Sequence, residues 1–363
     1  MKYIDEFRNK DLSLKILSRI NKIVLPPQVN IMEVCGTHTQ SFFRFGLDKL
    51  LNPQIKLISG PGCPVCVSSL GYIDAAIKLA ESKEVIIATF GDMLHVPGSK
   101  STLGKERAKN ANVVVVYSPW DSLRLAKENP DKKIVFLAVG FETTAPAVAL
   151  SILSAKKENL KNLFFFSSLK LIPSAMGYLL KDKRLNIDAF LCPGHVSAII
   201  GTKPYEFIPK KYAIGCCVAG FEPLDILEGI YILIGQLVQS KPKVENQYVR
   251  VVTRNGNKKA QKFIQQVFKT TSAFWRGLGR IPESGLQLRD DFLRFDAGKV
   301  FSLKQVNRRI GPPATKCKCG DVLKGLISPK ACPLFAKTCK PDNPVGPCMV
   351  SSEGACNVYY KYR

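Results

Sequence analysis

The 363-residue sequence predicts an α/β protein: two similar parallel-sheet domains facing a central cleft, with a small loop-rich module at the C-terminus. Three observations carry this. Short apolar runs alternate with helical patterns through most of the chain, as in sheets covered by helices on both faces. Many of these runs end in Gly- or Pro-marked loops with polar or thiol side chains, where ligands bind in open α/β sheets. The last fifty residues hold prolines and clustered cysteines with little amphipathic periodicity.

Strands are expected at 28–34, 85–90, 113–117, 134–139, 163–166, 189–191 and 212–218. Helices are expected at 72–81, 120–128 and 146–157. The pattern turns mixed after Gln247, with a helix near 259–268, and composition shifts again after Gly311-Pro312-Pro313. The domains are placed at 1–135, 136–245 and 246–363, with the proviso that the chain can cross between the first two.

Hydrophobic residues make up 46% and charged residues 23%, a globular and not a disordered composition. The N-terminus reads as a charged amphipathic helix and not an export signal. The most apolar stretch, Leu224 to Val238, is interrupted by Asp225, Glu228 and Gln236, so no membrane span is expected and a cytoplasmic location is. Fifty-three Lys plus Arg against 29 Asp plus Glu give a formal charge of +24. The basic residues are dispersed, often as surface pairs such as Lys132-Lys133. No nucleic-acid-binding motif accompanies them, so nucleic acid is not expected as a partner.

Twelve cysteines in a chain without an export signal point to metal or redox chemistry before structural disulfides. Six lie in the tail: Cys317, Cys319, Cys332, Cys339, Cys348 and Cys356. Zinc takes four thiolates too, but usually through paired short knuckles that are missing here. A [4Fe–4S] cluster is the stronger expectation, on Cys319, Cys332, Cys339 and Cys356, leaving Cys317 and Cys348 as spare thiols or a disulfide pair.

Cys63-Pro64-Val65-Cys66 directly precedes a helical pattern. A thiol at a helix N-terminus would be favoured as thiolate, and the pair reads as a reversible dithiol. Cys35 ends a buried strand in Cys35-Gly36-Thr37-His38-Thr39, either a nucleophile beside His38 or a soft metal ligand. The chain has three histidines, His38, His95 and His195, all in expected strand-end loops. Glu142 in Gly140-Phe141-Glu142-Thr143-Thr144 is a cleft carboxylate or a helix N-terminal acid, with Thr143 or Thr144 as cap. Cys192, Cys216 and Cys217 read as inert packing.

Together MEVCGTHT, GPGCPVC, FGDMLHVPGS, GFETTAP, CPGHVSAIIG, VAGFEPLDIL and the tail from CKCGDVLKG to PVGPCMVSSEGAC resemble the hydrogenase formation/maturation family HypD. The motifs occur in order from residue 32 to 356. One departure is His95, where the D-M-L-x-V-P-G loop of the family more usually carries Arg. The resemblance implies a redox-active assembly scaffold for the Fe(CN)2CO unit of [NiFe]-hydrogenase, not a conventional turnover enzyme. It implies the small chaperone HypC as partner and HypE as cyanide donor, with HypF upstream, the chain being a monomer in such complexes. Cys35 is then a ligand of the transient iron carrying CN and CO. Cys63 and Cys66 are the redox dithiol, and the tail cluster is its electron source. His38 and Glu142 would orient or protonate groups, and Thr143 would hydrogen-bond a cyanide nitrogen. The competing expectation is an iron–sulfur-linked thiol–disulfide oxidoreductase.

Overall fold

The computed structural model describes residues 2, 4–303 and 316–363; the Gly311-Pro312-Pro313 breakpoint lies outside them. Two parallel sheets and one antiparallel hairpin form the frame. The first sheet has the order β2 (Ile55–Ser59), β1 (Val29–Glu33), β7 (Ala189–Pro193), β8 (Gly215–Ala219), β9 (Val244–Asn246). The second has β4 (Val113–Val115), β3 (Val85–Thr89), β5 (Lys133–Gly140), β6 (Leu163–Leu169). β10 (Phe268–Trp275) and β11 (Gly279–Leu288) pair antiparallel with a bulge between Thr271 and Ala273.

The chain therefore leaves the first sheet after β2, builds the whole second sheet, and returns for β7 to β9. The division expected at 135/136 falls inside β5, which pairs with both β3 and β6. Hydrogen-bonded registers, not position along the chain, decide which strands share a sheet: Ile31 pairs with Ala189 across more than 150 residues of sequence.

β1, β3, β7 and β8 are buried throughout, which is why they read as unbroken apolar runs. β2 escaped the sequence pattern because it is an edge strand with a half-exposed face. The strand expected from Tyr212 starts at Gly215. Tyr212 closes the helix Phe207–Tyr212, and Ala213 at φ +54° turns the chain into β8. The mixed region after Gln247 is the helix Lys258–Val267 running into the β10–β11 hairpin.

The first sheet is covered on one face by the helix Pro223–Val238 and on the same core by Leu17, Ile20, Phe42 and Tyr359. Its other core gathers residues that follow strands: Cys63 and Val67 after β2, Phe141 after β5, Val196 after β7. The tail joins that core through Val322, Leu323, Cys348 and Met349, so it does carry hydrophobic packing as well as cysteines. Among the described residues no helix is long and apolar enough to cross a membrane.

Candidate functional site

Cys35 leaves β1 in extended geometry and becomes the N-cap of the helix Gly36–Arg44. Two backbone approaches fix it. Gly36 N–H donates to Gly62 O at 3.1 Å. A Cβ on Gly62 would stand 2.2 Å from Cys35 N, so only glycine lets the two loops touch. Parallel pairing of β1 with β2 thus delivers Cys35 and the Cys63–Cys66 loop to the same end of the sheet.

Beneath Cys35 lies a carboxyl that sequence reasoning passed over. Glu33 is 1% exposed and accepts Cys35 N–H at 2.9 Å and the Thr39 hydroxyl. Burial pushes its pKa up to about 8. Glu353 arrives from the tail, accepting Thr37 Oγ1 at 2.7 Å and packing its backbone against Gly36. Burial, then Glu353 and Glu33, push the Cys35 thiol up to about 12. The apolar run of β1 interrupted by Glu33 was a visible signal; nothing local marked Glu353, which is distant in sequence.

Cys63 and Cys66 are 3% and 0% exposed. Cys66 N–H donates to Cys63 Sγ at 3.2 Å. The expectation of a dipole-lowered thiol is corrected: the following helix starts only at Leu70, capped by Ser69, and burial drives the Cys66 pKa well above its ordinary value. Desolvation of a buried thiolate outweighs the dipole of a helix that starts four residues further on.

All six tail thiols line one pocket with Phe335, Gly346 and Met349. Gly346 is needed there, since a Cβ would meet Cys317 Sγ at 2.7 Å. Four of these thiols and Cys66 form a string. Cys317 lies within hydrogen-bonding reach of Cys319, Cys319 of Cys348, and Cys348 of both Cys356 and Cys66. Cys339 Sγ accepts Val345 N–H at 3.4 Å. Cys317 and Cys348, expected as spare thiols or a disulfide pair, are both free thiols here, and Cys348 stands among Cys319, Cys356 and Cys66. Among the described residues no three thiol, imidazole or carboxylate groups converge as on a single bare ion. The thiols stand around a pocket instead.

His38 is 0% exposed, and its Nε2 lies 2.8 Å from Gly220 O, which fixes Nε2 as the protonated nitrogen. Its Nδ1 is buried with no partner, and burial lowers its pKa to about 4. Its ring and that of His195 both pack on Phe221, at 4.7 and 3.9 Å between centroids. His95 is exposed at the end of a short turn after β3.

Glu142 is 3% exposed; Oε1 accepts Ile172 N–H at 3.0 Å, and Oε2 has no partner. Burial raises its pKa to about 8. Thr143 is exposed beside it, and the helix cap is Thr144, whose side chain makes no capping hydrogen bond. Lys170, after β6, was missed: 3% exposed, it donates to Phe274 O at 2.9 Å, and burial lowers its pKa to about 7. Cys192, Cys216 and Cys217 are all fully buried in β7 and β8.

The family model described as HypD, "Hydrogenase formation hypA family", matches residues 11–363. The hydrogenase expression/formation protein HupD of Azotobacter chroococcum mcd 1 is 45% identical over 370 residues, covering 100% of this chain and 97% of that protein. The hydrogenase maturation factors HypD of Escherichia coli K12 and Cupriavidus necator are 44% and 43% identical over 371 residues, each covering all of this chain and 98% and 97% of theirs. With these relatives and the family match over nearly its whole length, the chain belongs to the HypD family of hydrogenase maturation factors.

Proposed function

We propose that this maturation factor holds an iron ion through Cys35 while its Fe(CN)2CO unit is assembled, and that the Cys63–Cys66 dithiol supplies reducing equivalents from a tail cluster. The observation that carries this reading is the run of sulfurs, Cys63, Cys66, Cys348, Cys319, that joins the loop touching Cys35 to the tail pocket. Relatives named hydrogenase maturation factor supply the process.

Cys35 offers a soft sulfur suited to low-spin iron with cyanide and carbonyl ligands. Burial raises its thiol pKa, so a bound cation would be needed to favour the thiolate. HypC is the proposed partner that shares the iron, and HypE, fed by HypF, the proposed cyanide donor. His38, as a neutral imidazole, and Glu142, as a buried acid, are the proposed orienting and protonating groups. Exposed Thr143 is the proposed hydrogen-bond donor to a cyanide nitrogen.

The tail pocket offers six thiols and no carboxylate or imidazole, a donor set that fits an iron–sulfur cluster. Cys319, Cys332, Cys339 and Cys356 would hold a [4Fe–4S] cluster, which when bound supplies single electrons. Oxidation of Cys63 and Cys66 to a disulfide releases two electrons and two protons, and re-reduction returns them. Near-complete burial of both thiols disfavours the rival reading, a thiol–disulfide oxidoreductase, because a protein disulfide cannot reach them.

Infrared spectra of the anaerobic complex with HypC test the iron role: Cys35→Ala should abolish the iron-bound cyanide bands, and unchanged bands would remove Cys35 from it. Iron and sulfide analysis tests the cluster, with one zinc and no labile sulfide as the contrary result. Cys319→Ala against Cys317→Ala decides the fourth ligand by which variant loses the cluster.

A further inference from the structure

The free edge of the first sheet carries an inference of its own. Among the described residues β2 is the outer strand and pairs only with β1. In that ladder Val29 N–H donates to Gln54 O and Gly60 N–H to Glu33 O. The even-numbered residues of β2 therefore turn their main chain toward β1, and Ile55, Leu57 and Ser59 turn theirs outward. Ile55 N–H is taken by Asn52 O. Among the described residues, the N–H and C=O of Leu57 and Ser59 have no hydrogen-bond partner.

This edge lies in a groove of about 610 Å³. Phe42, Phe43 and Tyr359 line it with the core on one face of the sheet; Val322, Gly325 and Ile327 line it with the core on the other. Gly325 is what brings the second wall close, since a Cβ there would stand 2.4 Å from the Ile58 side chain. Exposed Lys56 sits on the strand itself, and its Nζ donates to Gln28 Oε1 at 2.9 Å. Arg363 at the groove is paired with Asp48.

We propose that the groove takes an extended, acidic segment of a partner protein, added to the sheet as a further strand along β2. Outward donors and acceptors recur at every second residue, the repeat of an extended backbone and not of a helix or a compact small molecule. Walls on both faces of the sheet receive the alternating side chains that such a strand presents. Free edges are normally guarded by charge. Lys56 is such a guard: it opposes a second copy bringing its own lysine and favours acidic residues, in keeping with a chain of net charge +24. The groove also leads toward the Cys35 loop, since Ser59 Oγ lies 3.2 Å from Thr39 Oγ1. An occupant would thus end beside that loop, although the inference holds whether or not Cys35 binds iron.

The test uses the full chain and an acetylated, amidated peptide of alternating glutamate and valine. Hydrogen–deuterium exchange is followed residue by residue along β2. With saturating peptide, exchange at Leu57 and Ser59 should slow about tenfold or more, while Lys56 and Ile58 stay as they were. Leu57→Pro removes an outward N–H without touching the ladder to β1 and should weaken binding about tenfold, a larger effect than that of Leu57→Ala. Lys56→Glu should weaken it several-fold, as should replacing glutamate by lysine in the peptide. Absence of protection at Leu57 and Ser59 at millimolar peptide overturns the proposal. So does undiminished binding by Leu57→Pro, or protection that appears on concentrating the chain alone, which would mean pairing of two copies. Should Leu57→Pro not fold, the exchange pattern of the unaltered chain and the Lys56→Glu affinity decide.

Discussion

Two buried carboxylates, one after β8 in the first sheet and one after β5 in the second, are held in opposite ways. After β8 in the first sheet, Asp225 is 0% exposed and fully partnered: Arg250 donates through both terminal nitrogens at 2.8 and 2.7 Å, and Gln247 Nε2 adds a third bond at 2.8 Å. Arg250 is itself sandwiched near Phe7 and Tyr248, at 3.5 and 4.4 Å from their ring centroids. After β5 in the second sheet, Glu142 has one backbone donor and an oxygen with nothing facing it. A paired, hydrogen-bonded charge is settled architecture, whereas an unpaired buried acid is held by its surroundings at a cost. Lys170, one strand further on, is a buried cation in the same state. Asp225 is thus electrostatically closed at the end of β8, whereas Glu142, Lys170 and, at the end of β1, Glu33 have no ion-pair partner among the described residues.

Breaking the closed pair should have the largest effect. Arg250→Ala leaves Asp225 alone in the interior and should cost about 3–5 kcal/mol in denaturant unfolding; a loss under about 1 kcal/mol would mean the pair is not what holds this end together. Gly62→Ala comes next, at about 2–3 kcal/mol, because its Cβ meets backbone and not a movable side chain. The same variant should speed alkylation of Cys35 by separating the two loops, and an unchanged rate would contradict their contact.

Glu142→Gln sharpens the contrast through pH. The folded chain keeps the Glu142 proton to about pH 8, whereas the unfolded chain releases it near 4.5. Its contribution is therefore full below pH 4.5 and is lost as pH rises toward 8. Between those limits the parent chain should lose about 1.4 kcal/mol per pH unit relative to Glu142→Gln. Parallel stability curves would show that the carboxyl is ionised in the fold. Smallest of all, Glu128→Ala removes an exposed helical ion pair with Arg124 and should leave the melting midpoint where it was.

Much of the fold was legible because parallel strands buried on both faces leave continuous apolar runs, as in β1, β3, β5 and β8. β2 was illegible for the converse reason: an edge strand with an exposed lysine carries no such run. The Cys35, Cys63–Cys66 and tail cysteine groups were legible as chemistry, since thiols grouped at such spacings point to metal or redox work. Their protonation was not. The dipole argument favoured a thiolate at one of Cys63 and Cys66, and burial moves Cys66 up, because desolvation depends on what packs around the sulfur.

The sequence by itself determined the α/β class, the cysteine groups and the family, all of which rest on local patterns and motif order. Only the tertiary structure decided that residues 29–59 and 189–246 share a sheet, that Glu33 and Glu353 attend Cys35, and that Cys348 stands between Cys66 and Cys319. Periodicity and spacing report on a few neighbouring residues, whereas the contacts of Glu353 with Cys35 and of Cys348 with Cys66 join segments hundreds of residues apart. They exist only where hydrogen-bond register and packing bring those segments together.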